Sequence, residues 1–421
     1  MDWTDIHYRQ LARLLTKHTW LWTEMVVDST IVHTPNKDRH LWFPVEQRPL
    51  VCQVGGSDPA QLAAAAAVVA TYGYDEINLN CGCPSDRVAG AGCFGASLML
   101  RPETVGDACA AIAAATSGSA VTVKCRLGVD DVDAYEDVCR FVEGVLLRSP
   151  VRHFVIHSRK CHLSGLNPAQ NRTIPPLKRT WVWALQRDFP EAEFSLNGGI
   201  ESCHQAAAAL RHEMAGQHIW GVMIGRAAYN TPWHCLADAD RAVFGAETNP
   251  ATSRRQVLRE YAAYGDAILG RFSNDRPDAT VMRHPNVRAV VKPLLGLFHG
   301  AKGGKRFRTR MDTWLNKHAK REGATVSEAI AYAIEVRHVL LCARSPWLDG
   351  TMCTPLLQEL SDDVLDAPPP TAEENDRTSG FSGKTGEFDV GTEPLPVPYQ
   401  RQAVAPGTPK TTAFRAETVV A

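Results

Sequence analysis

The residues able to do chemistry recur at the ends of short β-branched runs, up to Arg226. Gln53 is followed by Gly55-Gly56, and Asn78, Asn80, Cys81, Gly82, Cys83 and Pro84 close the next run. Lys124 and Arg126 follow, then His157, Arg159 and Lys160, then Asn197-Gly198-Gly199, then Gly225-Arg226. A cysteine held between Gly82 and Pro84 is fixed in place and partly exposed. Reduction of an activated C=C bond delivers hydride to one carbon and needs a positioned acid to protonate the other. A neutral thiol, with a reference pKa of about 8.5, can be that acid at neutral pH. Two thiols one residue apart need further ligands to hold a metal, and the loop does not offer them, so no metal is expected. A vicinal redox disulfide stays open as a minor alternative.

Gly198, Gly199 and Gly225 open onto helix starts, where backbone N–H groups form a cradle suited to a phosphate. Arg226 is placed to add a bidentate contact. A lone Gly-Gly is usually only a tight turn, and it is the Lys and His at neighbouring run ends that favour a phosphate. If the phosphate is a flavin's, the ring lies where Gln53, Lys124 and His157 can hydrogen-bond it. Lys124 then sets positive charge beside the edge that becomes electron-rich on reduction. For His157, a satisfied core histidine is the competing reading.

These run ends need a frame that brings them together. Candidate strands are Glu24–Val27, Leu50–Gly55, Glu76–Asn80, Val121–Arg126, His153–Ser158, Glu193–Asn197 and Val222–Gly225. Helical patterns lie between them, at Tyr8–Lys17, Pro59–Tyr72, Pro102–Thr116, Ala134–Leu147, Trp181–Phe189 and Glu201–Arg211. Alternation of this kind predicts an α/β fold, a TIM (β/α)8 barrel over residues 1–248, with chemistry at the C-terminal ends of the strands. Only seven strands are found where eight are needed. The first is expected to be absent, which implies either a chain incomplete at its start or a damaged barrel. From Thr252 the pattern is helical only, at Arg255–Leu269, Asn286–Phe298, Phe307–Glu322 and Val326–Leu341, giving a small all-α domain over 249–347. The remainder, 348–421, is Pro-rich and acidic, with too little apolar periodicity to offset its ordering entropy, and is expected to be disordered.

Charge divides along the same lines. The formal net charge is -1, yet Thr252–Trp347 holds eighteen Lys or Arg against eight Asp or Glu, a local excess of +10. Glu359–Asp389 holds nine acidic and two basic residues. A basic block beside an acidic tail suits a compact anion-binding domain with a solvated appendix. A merely charged helix surface is the plainer alternative. The twelve cysteines lack paired C-x-x-C spacing, so most are expected to be reduced core residues. No apolar run reaches the length of a membrane span, and no signal segment is recognised, so no membrane contact is expected.

The segments MDWTDIHYR, YDEINLNCGCPSDRV, FGASLM, VTVKCRLGVDD, HSRKCHLSGLNPAQNRTIPPL, NGGI and GVMIGRAAYNTP together resemble the tRNA-dihydrouridine synthases. The likeness runs from Met1 to about Thr325 and is nearest the subfamily acting on D-loop uridines 20 and 20a. It implies an FMN-binding barrel followed by a helical domain, with NADPH reducing the flavin in a separate half-reaction. The Asn-x-Gly-Cys-Pro motif maps onto Asn80, Gly82, Cys83 and Pro84, which makes Cys83 the acid that protonates uracil C5 after flavin N5 delivers hydride to C6. Cys81 fills the variable position. Gln53, Lys124, His157, Asn197, Gly198, Gly199, Gly225 and Arg226 map onto the FMN contacts. Asn80 and Arg172 match positions that meet the tRNA, and Lys160–Arg172 would rim the uridine pocket. Lys292, Lys305 and Arg308 fall near RNA-contacting positions on a looser alignment.

There are three departures. The family's first strand ends in an Ala-Pro-Met that contacts FMN, and no counterpart precedes Met1-Asp2-Trp3. Ser97 stands where the subfamily often has Cys. The acidic tail matches nothing in the family. Two other functions stay open: a non-catalytic tRNA-binding form, if the first strand is wanting, and an FMN barrel acting on a free pyrimidine. A cytoplasmic monomer is expected, with an organelle as the alternative if a targeting segment precedes this sequence.

Overall fold

Nine short strands carry the frame: β1 (Trp20–Trp22), β2 (Val26–Val27), β3 (Leu50–Gly55), β4 (Glu76–Cys81), β5 (Ala120–Arg126), β6 (His153–His157), β7 (Glu193–Asn197), β8 (Gly221–Ile224) and β9 (Glu417–Val420). The computed structural model describes residues 3–84, 94–116, 119–272, 285–334, 360–374, 388–401 and the backbone of 417–420. Eight strands close a ring. β1 pairs with β3, pairing runs in chain order from β3 to β9, and β9 pairs back onto β1, all in parallel.

Two expectations change here. The first stave is Trp20–Trp22, not Glu24–Val27; Val26–Val27 only adds a short second pairing on β3. The ladder breaks at Thr23, whose Oγ1 instead accepts the Gln53 N–H at 3.0 Å. The eighth ring position, expected to be empty, is filled by β9.

Period-two alternation sorts the staves into an inner and an outer face. Trp22, Val51, Val155 and Met223, with Trp20 against them, form an apolar cluster of their own inside the ring. Above and beside it the inner positions are polar. The outer face meets helices Pro59–Ala70, Pro102–Ala115, Tyr135–Arg148, Thr180–Asp188 and Cys203–Arg211. In Pro59–Ala70 the buried residues are Leu62, Ala65, Ala66 and Val69, the spacing of one helix stripe. Asp58 caps that helix by accepting the Gln61 N–H, and Ser202 caps Cys203–Arg211 the same way through Gln205.

The helical region follows as Arg254–Ile268, Val287–Val291 running into a 3₁₀ turn at Lys292–Gly296, Gly304–His318 and Val326–Ile334. The expected helix Asn286–Phe298 therefore tightens midway, at Pro293. The expected continuation of the last helix to Leu341 lies outside the described residues. This region grips the barrel through the first helix, Ile6–Leu15. Tyr261 donates to the carbonyls of Val290 (2.6 Å) and His7 (3.2 Å), and Tyr264 Oη lies 3.0 Å from His7 Nδ1.

The described parts of the acidic tail lie against the folded body. Leu360 and Leu365 are buried, and Arg255 pairs with Asp362 and Asp366. Among the described residues no helix is long and apolar enough to cross a membrane.

Candidate active site

Register sets the candidate residues side by side at the C-terminal ends of the staves. Gln53 lies opposite Asn78, Asn80 opposite Lys124, Arg126 opposite His157, and His157 opposite Asn197. Asn78 and Asn80 share the inner face of β4, as Lys124 and Arg126 share that of β5. A run of hydrogen bonds joins the staves. Asn80 Nδ2 donates to Gln53 Oε1 at 2.8 Å, Gln53 Nε2 to Asn78 Oδ1 at 3.0 Å, and Asn78 Nδ2 to Thr122 Oγ1 at 2.8 Å.

The cysteine loop is pinned from two sides. Asn80 Oδ1 accepts the N–H groups of Gly82 (3.1 Å) and Cys83 (3.0 Å), which folds the loop back over the end of β4. Arg126 donates from Nε to the Gly82 carbonyl at 2.9 Å, and from Nη1 to the carbonyls of Lys160 and Asn171, each at 3.0 Å. One guanidinium thus ties the loop to the end of β6 and to the rim segment. Cys83 is half-buried, whereas Cys81 is fully buried, its thiol pushed far up by burial and by Cys109 and Cys125. Of the pair, only Cys83 is within reach of a molecule at the barrel mouth. Among the described residues no three His, Cys, Asp or Glu side chains gather as a metal site.

Basic groups gather at the C-terminal end of the inner wall. Burial, then Arg126, push the Lys124 ammonium down to about 8. Burial, then Arg126 and Lys124, drive His157 well below its usual value, so its imidazole is neutral. His157 Nδ1 is buried and has no hydrogen-bond partner among the described residues. A buried ring nitrogen left unpaired costs about 1–3 kcal/mol unless a ligand satisfies it.

The glycine turns stand beside this wall. Gly198 and Gly199 adopt φ of +116° and +69°, which an L side chain resists. A Cβ on Gly199 would come within 2.5 Å of Arg179 Nη2, while one on Gly225 would meet open space. Asn197 sets the turn by donating to the Met223 carbonyl at 2.9 Å, and its own carbonyl accepts the Ser158 N–H at 2.8 Å. Arg226 donates to the Arg172 carbonyl at 3.3 Å. Burial, then Arg226 and Arg179, lower the affinity of Arg159 for its proton. Arg159, Arg179 and Arg226 thus bring positive charge to the glycine turns, an arrangement that can hold a phosphate-like anion. Arg179 was not singled out in the sequence. A Lys-Arg pair at a helix start looks like ordinary surface charge there.

The remaining candidates are placed less uniformly. Lys160 Nζ pairs with Asp133 at 2.9 Å and donates to the Asp130 carbonyl at 3.1 Å, so its charge is engaged by the loop that follows β5. Asn171 staples the rim, its Oδ1 accepting the His162 N–H at 2.8 Å, and leaves neighbouring Arg172 exposed. Lys292 is exposed where the helical region meets the chain start, within electrostatic reach of Asp5. Lys305 and Arg308 are exposed one turn apart on Gly304–His318, whose Phe307, Met311, Trp314 and Leu315 face inward.

Known proteins match this sequence. The sequence model of the family described as Dihydrouridine synthase (Dus) matches residues 1–335. A tRNA-dihydrouridine(20/20a) synthase of Shigella flexneri is 41% identical over 327 residues, covering 78% of this chain and 88% of that protein. The protein of that name from Escherichia coli K12 is 41% identical over 327 residues, covering 78% and 87%. The one from Xanthomonas axonopodis pv. citri is 43% identical over 326 residues, covering 77% and 88%.

Proposed function

The chain belongs to the dihydrouridine synthase family, and on that footing we propose that it reduces uridine to dihydrouridine at positions 20 and 20a of the tRNA D-loop. The relatives' names supply the choice of positions. The observation that carries the chemistry is the Cys83 loop, fixed by Asn80 on one side and by Arg126 on the other.

The residues present fit a flavin mononucleotide. His157 Nδ1 wants a partner, Lys124 pairs with no carboxylate among the described residues, and the Gly225 turn faces open space beside Arg226. Gln53, Lys124 and His157 would hold the ring, and Asn197, Gly198, Gly199, Gly225 and Arg226 the phosphate. When bound, the flavin supplies hydride for uracil C6 and is renewed by NADPH. Cys83 Sγ holds the proton that C5 receives, and Asn80 and Arg126 keep that sulfur aimed. Asn80 Oδ1 is taken up by the loop and one Nδ2 hydrogen by Gln53, which leaves the second Nδ2 hydrogen for the nucleotide.

The RNA is held elsewhere. The local charge of +10 over Thr252–Trp347 supports phosphate contacts from Lys292, Lys305 and Arg308. Arg172 and the Lys160–Arg172 rim would receive a uridine turned out of its stack. The non-catalytic alternative predicts a folded chain that binds tRNA and takes up no flavin, and the flavin content of the purified protein decides between the two.

Cys83→Ala is expected to stop dihydrouridine formation, by at least about a hundredfold, while flavin content stays at the parent level. Full activity in that variant would overturn the assignment of Cys83. Loss of flavin along with activity would mean that Cys83 shapes the site and does not serve as its acid.

A further inference from the structure

We propose, on the reading of the site as a dihydrouridine synthase, that Asp130 is a positioning residue for the substrate. Its carboxylate sets the start of the Lys160–Arg172 rim, and so the place where that rim meets a uridine turned out of the D-loop. The ladder between β5 and β6 continues past the mouth of the barrel. The Leu127 N–H donates to the Arg159 carbonyl at 3.3 Å, the Cys161 N–H to the Gly128 carbonyl at 3.0 Å, and the Asp130 N–H to the Cys161 carbonyl at 2.8 Å. The rim segment therefore begins as one strand of a short ribbon standing above the staves.

The other strand of the ribbon folds back in a two-residue turn, with Val129 and Val132 exchanging both N–H to carbonyl bonds at 2.9 Å. Asp130 opens that turn at φ +51°, where glycine sits without strain and L side chains resist. An Asp in that place points to a use for its carboxylate. Oδ1 accepts the Leu163 N–H at 2.9 Å and lies 3.8 Å from His162 Nδ1. With the Lys160 ammonium on its carbonyl at 3.1 Å, the consecutive rim residues Lys160 to Leu163 all meet this one aspartate. The turn has little slack, since a Cβ on Gly128 would come within 2.6 Å of Asp133 Cα.

The far end of the rim is tied separately. Asn171 Nδ2 donates to the carbonyls of His162 (2.9 Å) and Leu166 (3.0 Å), and Arg126 holds the carbonyls of Lys160, Asn171 and Gly82. Rim and Cys83 loop thus share one guanidinium. Among the described residues the bonds of Asp130 go to the rim and to its own turn, and none to the candidate flavin wall. Loss of the carboxylate should therefore disturb the RNA side of the site and leave the flavin side intact.

Asp130→Gly removes the carboxylate and relieves the backbone, so its melting temperature and flavin content should match the parent's. Hydrogen exchange at the Leu163 amide should speed up, and the KM for unmodified tRNA should rise about tenfold with kcat unchanged. Asp130→Asn keeps an acceptor at Oδ1 and tolerates positive φ, so it should return both readouts to the parent's. Parental KM and parental Leu163 exchange in the Gly variant would overturn the proposal, as would an Asn variant that behaves like Gly. A Gly variant that melts lower and loses flavin would overturn it too, leaving Asp130 a purely structural residue. Absence of dihydrouridine from the parent chain itself is a separate result, and it would sink the reading of the site along with this role.

Discussion

Lys124 is where the chemistry of a single residue can be read most directly. Burial and Arg126 bring its ammonium down to about 8, so the charged form holds below that pH and is lost above it. Affinity for flavin mononucleotide should therefore weaken as pH rises through 8, and binding followed by fluorescence quenching would show it. Lys124→Met should weaken binding about tenfold at pH 7, ~1.4 kcal/mol, and flatten the pH profile. A variant that keeps the parent's affinity and its pH dependence would show that the ammonium does not face the flavin. At this scale the sequence was most legible. Cys83, Lys124 and His157 stood out because a thiol between Gly and Pro, and basic residues in apolar runs, have few other uses. Arg126 and Arg179 did not declare their roles. Their work is done on carbonyls remote in sequence, at Gly82, Asn171 and Gly199, and a carbonyl has no signature in the sequence.

At the scale of elements, the seventh strand and its turn combine two demands. Asn197 must pair across to β8, and Gly198-Gly199 must then turn with positive φ beneath Arg179 and Leu177. Gly199→Ala forces a Cβ to within 2.8 Å of Leu177 Cδ1 in a conformation that L residues resist. It should cost about 1–3 kcal/mol of stability and lower flavin content, checked by thermal melting and by absorbance of the purified protein. Melting and flavin content equal to the parent would show that the turn tolerates a side chain. Strands β3 to β8 were readable from their apolar alternation. The first stave was not, since Trp20-Leu21-Trp22 is short and runs straight into the more β-branched Met25-Val26-Val27. β9 was hidden for another reason: Glu417–Val420 sits in a tail whose composition speaks for disorder, and its partners are about two hundred and four hundred residues away.

For the molecule as a whole, the proposed division of labour is between a barrel that does chemistry and a basic helical region that holds RNA. Replacing Lys305 and Arg308 together by Ala should weaken tRNA binding and reduce the salt dependence of affinity by about two units of slope. Flavin content should not change. An unaltered salt slope would place the RNA contacts elsewhere. The most direct test of the whole account is to incubate the chain with FMN, NADPH and an unmodified tRNA transcript, and to map the product by mass spectrometry. Dihydrouridine at positions 20 and 20a, dependent on Cys83, is the predicted result. NADPH consumed with no dihydrouridine in the tRNA, or reduction of free uracil in its place, would contradict it.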